Sequence, residues 1–527
     1  MTDTEHGPLD TSGITRGPDG IARYDNLPVS LLEAIRASAE AYADVEAVVE
    51  VGGPRLTYAQ LWARASEVAG GLRQRGIAPG DRTAILLPAG ADWVCAFLGS
   101  VLAGAIVVPV NTRFAQPEVD YVLTDSGAAY VFRPGEPLPA GPPAAHEDSA
   151  HTDPVAIFYT SGTTGFPKGA VTTNENFLSN IETTLRVLGV DRSDGPALRN
   201  LISVPLFHVT GCNTQLLVQL AVGGTAVILP AFDVGRFVTT IAEERINIVI
   251  TVPAIYNLVI AHPDFASLDT SGVILAAYGG APIAPALVAR IKDAFPSARV
   301  GNGFGLTEVA SIATFLPHEW STDHADSVGF AAPVVDLGLA DADPRTGVGE
   351  LLVRGPNRVA GYWNKPEATA ATFVDGWLHT GDLARIDDEG LVHIVDRAKD
   401  MINRGGENVY CVEVENALAG APGVAEAAVL GVPDEVMGEK VGAVVVPAAA
   451  GSFDVGAMLA YLAERLADFK IPQYVAVRDT PLPRNPGGKV LKGALRGETE
   501  WGTLVRGRQG RQPRARTRNC PTGDPPQ

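Results

Sequence analysis

Between residues 30 and 395 the chain repeatedly sets short β-branched apolar runs beside segments of helical period. Arg82 to Pro88 (RTAILLP) reads as a buried strand, the stretch through Trp93 to Ala103 as a helix, and Ala105 to Val110 (AIVVPV) as the next strand. The same pairing recurs at INIVITV (Ile246 to Val252) before PAIYNLVIA, and at GVILAAYGG (Gly272 to Gly280) before PALVARIKDAF. This alternation predicts an α/β fold, with sheets and helices in layers. After Asp396 the pattern changes to RGGENVY, a helix VEVENALAG, strands AEAAVLGV and VGAVVVP, and a helix DVGAMLAYLAERLADF, which together predict a small α+β domain. The organisation read from the pattern is an extension (1–29), a large N-terminal domain of layered sheets and helices (30–396), a connector (397–400), a small C-terminal domain (401–496) and an Arg-rich tail (497–527). Arg133 to Pro154, rich in Pro, Ala and acidic residues and without period, reads as a surface loop.

Composition sharpens this. A chain of 527 residues exceeds the usual reach of one core, and 46% hydrophobic with 19% charged residues is that of a folded globular protein. The net charge of -19 argues against a specific nucleic-acid binder, since phosphate contacts need a basic face; the local exception is the seven arginines from Arg496 to Arg518. Cys95, Cys212, Cys411 and Cys520 show no metal-ligand or disulfide spacing, and the acidic start MTDTEHGPLD lacks the features of an export signal, so a cytoplasmic location is expected. No charge lies between His208 and Asp233, a length able to span a bilayer. Asn213, Thr214, Gln215 and Gln219 interrupt it, and Gly223, Gly224 and Pro230 break it, which predicts a buried helix, a turn and a buried strand with no transmembrane segment.

Chemistry concentrates in a few strings. YTSGTTGFPKG (Tyr159 to Gly169) follows an apolar strand. Its three glycines permit close backbone approach, the hydroxyls of Thr160, Ser161, Thr163 and Thr164 can donate to phosphoryl oxygens, and Lys168 adds positive charge. Its Pro-Lys-Gly order differs from a Walker loop, and composition alone leaves a flexible Gly/Thr surface loop equally open.

The full string resembles the phosphate loop of the adenylate-forming superfamily of acyl-CoA synthetases, luciferases and peptide-synthetase adenylation domains. Four further strings resemble that superfamily in order: GNGFGLTE (Gly301 to Glu308), DGWLHTGDL (Asp375 to Leu383), DRAKDMINRGGENVYCVEVE (Asp396 to Glu415) and LPRNPGGKVLK (Leu482 to Lys492). The resemblance runs from about Leu31 to Leu495 and is greatest to fatty acyl-CoA synthetases. It implies an ATP-dependent carboxylic acid:CoA ligase that forms an acyl-adenylate and then a thioester, with Mg2+, and with coenzyme A as cosubstrate. A fatty acid is the first expectation for the acid; the alternatives are an aryl acid, or loading of a carrier protein. Against the last, the stretch between Phe330 and Glu350 is short, and no carrier domain follows. A non-catalytic nucleotide-binding protein is expected to have lost Lys489 or Glu308, and both are present.

Carried over residue by residue, the resemblance implies that Thr160, Ser161, Gly162, Thr163, Thr164, Gly165 and Lys168 hold phosphates. Asn302, Gly303 and Phe304 would meet adenine, Gly280 and Ala281 would wall the pocket, and Asp382 and Arg397 would hold the ribose. Glu308, with Thr160, would bind magnesium, Thr307 would contact phosphate, and Lys489 would bridge carboxylate and α-phosphate. His208, in PLFHVTGC, would line the acid pocket, or is a satisfied core histidine beside Phe207. Lys399 would be the hinge of a mobile C-terminal domain, and Gly405, Gly406, Glu407 and Asn408 the thiol-facing loop. Phe304 departs from the superfamily's usual Tyr, which keeps stacking and loses a phenolic hydrogen bond. The oligomeric state is left open, a homodimer being one option.

Overall fold

The computed structural model describes residues 6–160, 167–281, 283–405, 407–434, 436–449, 453–484 and 490–501. The chain divides into two units, Met1–Lys399 with Pro483–Gly493, and Asp400–Leu482 with Ala494–Gln527.

In the first unit a nine-stranded sheet runs from edge to edge as Phe330–Ala331, Thr314–Leu316, Arg299–Phe304, Leu275–Gly279, Ile248–Thr251, Arg199–Ile202, Thr225–Ile228, Glu46–Glu50 and Arg55–Thr57. Its six inner strands pair in parallel and the outer ones turn antiparallel. Inner strands covered on both faces read as unbroken apolar runs, which is why IVIT and TAVI are buried at every residue. A second sheet orders Ala128–Phe132, Arg82–Ile85, Ile106–Pro109, Pro154–Thr160 and Lys168–Thr173; the first four are parallel and the last two form a hairpin. A third sheet carries Asp336–Ala340, Gly349–Arg354, Trp377–Ile386, Phe373–Val374 and Val392–Arg397.

Helix Tyr58–Gln74 starts where Thr57 and Gln60 satisfy each other's backbone N–H groups, a reciprocal cap that the T-x-x-Q spacing supplies. The stretch read as a surface loop, 133–154, is in fact tied down: Gly141, Ala144 and His146 donate backbone hydrogen bonds to the carbonyls of Glu67, Ser66 and Leu102. The uncharged stretch after His208 folds as a π-helix, Thr210–Leu216, then helix Leu217–Val222 and strand Thr225–Ile228. Among the described residues no helix is long and apolar enough to cross a membrane.

In the second unit, strands Val424–Asp434 and Gly438–Pro447 form a long hairpin joined by Ile402–Arg404, Glu407–Val409 and Tyr474–Val477. Helices Cys411–Ala419 and Val455–Ala463 contribute Val414, Leu418, Met458 and Leu462 to its core. The second helix is shorter than its sequence predicts. The amides of Arg465 and Leu466 both fold back onto the Leu462 carbonyl, which closes the turn before the apolar pattern runs out.

Candidate active site

Parallel sheets gather ligand groups beyond the carboxyl ends of their strands. Along one edge of the nine-stranded sheet, Arg299–Phe304 leads into Thr307 and Glu308, Leu275–Gly279 into Gly280 and Ala281, and Arg199–Ile202 into the segment ending at His208. Asn302 and Gly303 lie near the carboxyl end of their strand, and Asn302 Nδ2 donates to the Ser327 carbonyl at 3.2 Å. Phe304 packs its ring partly against the main core. His208 is only partly buried, 6.1 Å from the Phe207 ring, and burial lowers its pKa, so the imidazole is neutral near pH 7. Among the described residues its ring makes no hydrogen bond.

The loop after Glu308 is strained. Ala310 and Ser311 take φ of +55° and +139°, and Gly305 passes so near that a Cβ there would lie 1.4 Å from the Ser311 carbonyl oxygen. Sequence reasoning missed the side chains that hold this loop. Asn213 donates to the Ala310 carbonyl at 2.9 Å, Asn357 donates to the Ile312 carbonyl at 2.7 Å, and Asn180 accepts from Ile312 N–H at 3.3 Å. Thr214 and Ser311 share a hydroxyl hydrogen bond. Asn213 and Thr214 sit on the π-helix, so the segment that follows His208 also braces the loop that follows Glu308. The only hint in the sequence was a run of polar residues within an apolar stretch.

On the second sheet, Thr160 pairs with Lys168 across the hairpin and closes the phosphate-loop string at its base. Ser161, Gly162, Thr163, Thr164 and Gly165 lie outside the described residues. Tyr362, also missed, joins this hairpin to the first sheet: its hydroxyl donates to Glu308 Oε1 at 2.7 Å and its ring faces Lys168 Nζ at 4.2 Å.

Asp382 and Arg397 are register partners on neighbouring strands of the third sheet, with Arg397 Nε 2.6 Å from Asp382 Oδ1. The pair lies within one sheet. Asp382→Asn keeps shape and a neutral acceptor for Arg397. If the carboxylate holds ribose, this variant is expected to raise the KM for ATP about tenfold, the cost of one charge-assisted hydrogen bond, with little change in the KM of the acid. Steady-state kinetics with each substrate varied will check this.

Lys399 is exposed in the turn after strand Val392–Arg397. In the second unit Gly405 takes φ +62°, as the tight turn between Ile402–Arg404 and Glu407–Val409 requires, and Glu407 and Asn408 are exposed. Gly406 and Lys489 lie outside the described residues; Arg484 and Val490, flanking the second, pair antiparallel.

Among the described residues no cluster of three or more His, Cys, Asp or Glu could hold a metal alone. Glu308, with the hydroxyls of Thr160 and Thr307, offers one carboxylate and hard oxygens. That donor set fits a magnesium ion held largely by nucleotide phosphates and water.

The family profile of AMP-binding enzymes matches residues 35–363, and that of the AMP-binding enzyme C-terminal domain matches residues 413–489. A feruloyl-CoA synthase of Amycolatopsis sp is 39% identical over 85% of this chain and 95% of its own length. A long-chain-fatty-acid–CoA ligase of Mycobacterium tuberculosis is 38% identical over 84% of this chain and 93% of its own. Among solved structures, o-succinylbenzoate CoA synthetase from Bacillus subtilis, in complex with its acyl-adenylate intermediate, superposes with a TM-score of 0.79 at 28% identity, covering 91% of this chain and all of that one. With profile matches over both regions and CoA ligases as full-length relatives, the chain belongs to the adenylate-forming AMP-binding enzyme family, as an acid–thiol ligase.

Proposed function

We propose that the enzyme activates an apolar carboxylic acid in two steps. The carboxylate attacks the α-phosphate of ATP, forming acyl-AMP and releasing pyrophosphate; the CoA thiol then attacks the acyl carbon, forming the thioester and releasing AMP and a proton. The observation that carries this is the convergence of Phe304 to Glu308, Gly279 to Ala281 and the segment ending at His208 on one sheet edge, with Tyr362 tying Glu308 to Lys168. Joining two anions requires charge neutralisation, for which Lys168, Lys489 and a divalent cation on Glu308 are the candidates.

For the acid, we favour a fatty acid. The Pro205-Leu206-Phe207-His208-Val209 string and the apolar helix Leu217–Val222 support it, as does the fatty-acid ligase among the relatives. An aryl acid is the second reading, supported by the feruloyl-CoA synthase of nearly equal identity. A panel of fatty and aryl acids scored by AMP release with CoA present is expected to give the highest kcat/KM to a fatty acid. Preference for a cinnamic-type acid will overturn that choice, and AMP release independent of every acid will overturn the ligase reading.

A further inference from the structure

Glu308 and Lys168 come from different sheets and carry opposite charges. Left to pair directly, each would quench the group the other needs: the carboxylate would lose its oxygen for a cation, and the ammonium its charge for phosphate. One side chain touches both. Tyr362 Oη donates to Glu308 Oε1 at 2.7 Å, while Lys168 Nζ stands 4.2 Å from the ring centroid, within cation–π range.

The ring itself is fixed. Residues 360–363 run beside strand Lys168–Thr173, with Val171 N–H bonding Gly361 O at 2.9 Å and Trp363 N–H bonding Gly169 O at 2.7 Å. Tyr362 N–H donates to Thr369 Oγ1 at 3.0 Å, and the ring packs against Phe373. On the other side Val359 N–H holds the Glu308 carbonyl at 2.9 Å. The segment is therefore hydrogen-bonded both to the phosphate-loop hairpin and to Glu308.

We propose that Tyr362 is a positioning residue for adenylation: its hydroxyl orients the Glu308 carboxylate toward the nucleotide-bound cation while its ring face holds the Lys168 ammonium at the phosphates. This rests on the reading that Glu308 serves the cation. Tyr362→Phe removes the hydroxyl and keeps the ring, whereas Tyr362→Leu removes both contacts.

Mn2+ binding to the full-length enzyme, followed by electron paramagnetic resonance in the presence of α,β-methylene-ATP, tests it without turnover. Expected are Mn2+ dissociation constants raised roughly tenfold in both Glu308→Gln and Tyr362→Phe, the scale of one hydrogen bond to a charged group. In Tyr362→Phe the thermal midpoint and the KM values for acid and CoA should stay at wild-type levels. Tyr362→Leu should additionally weaken nucleotide binding about threefold, from loss of the cation–π contact. Wild-type Mn2+ affinity in Tyr362→Phe, with weakened affinity in Glu308→Gln, overturns the positioning role and leaves the Glu308 reading standing. Wild-type affinity in Glu308→Gln overturns that reading and the proposal with it. An equal loss for Mn2+, acid and CoA in Tyr362→Phe, with a lowered thermal midpoint, also overturns it, because the ring would then serve packing alone.

Discussion

Lys489→Ala is expected to slow acid-dependent pyrophosphate release by about 10²–10³-fold, yet to leave conversion of supplied acyl-AMP and CoA into the thioester near its wild-type rate. The reason is electrostatic. Carboxylate and α-phosphate are both anionic as they approach, so the first step depends on an ammonium beside them. The mixed anhydride that results is already activated at its acyl carbon, and the thiol step asks no such help. Lys399→Pro is expected to show the opposite pattern. Proline fixes φ near about -65°, so a hinge at this position would be held in one state while adenylation proceeds. Quenched-flow measurement of each half-reaction in both variants decides the matter. Equal loss of both steps in both variants excludes a rotation of the C-terminal unit about Lys399 as the means of switching between them.

The parts of the fold that could be read from the chain are those whose cause is local. The inner strands IVIT and TAVI announce themselves because a strand covered on both faces has no reason to alternate. Thr57 and Gln60 mark a helix start by spacing alone. Thr307, Glu308, Asp382 and Arg397 all lie within motif strings; Thr307 and Glu308 follow the end of strand Arg299–Phe304, while Asp382 and Arg397 meet as register partners on neighbouring strands. Tyr362 had no such mark: an aromatic before a tryptophan reads as core, and its contacts with Glu308 and Lys168 are made across 54 and 194 positions of sequence. The same holds for Asn180 and Asn357, whose partner Ile312 lies far along the chain. The helix after Asp454 was over-extended for the converse reason, since the apolar period continues past Ala463 while the backbone turns on Leu462. The stretch 133–154 lacks any period because it is held by its backbone, which side-chain pattern does not report.

The bracing of the loop after Glu308 makes a quantitative demand on Asn213. Its side chain is buried, its Nδ2 donates to the Ala310 carbonyl, and among the described residues its Oδ1 has no partner, so this donation is the hydrogen bond its side chain makes. Ala310 and Ser311 hold backbone angles that an unbraced loop would relax. Asn213→Leu, similar in volume but unable to donate, leaves a buried carbonyl unpaired and is expected to cost about 2–3 kcal/mol in the urea unfolding free energy. Relaxation at Ala310 would carry Glu308, two residues earlier, away from its place against Tyr362 Oη. ATP–pyrophosphate exchange should therefore slow roughly tenfold or more even at temperatures where the variant is fully folded, because sub-ångström displacement of a charge-bearing group is costly in the transition state. Asn213→Asp separates the two effects of the substitution: it keeps the shape, lacks the donor, and places a carboxylate against a carbonyl, so it should be the more destabilised of the pair. If Asn213→Leu unfolds at the wild-type urea midpoint and exchanges pyrophosphate at the wild-type rate, the loop holds its strained angles without this brace, and the π-helix has no part in placing Glu308.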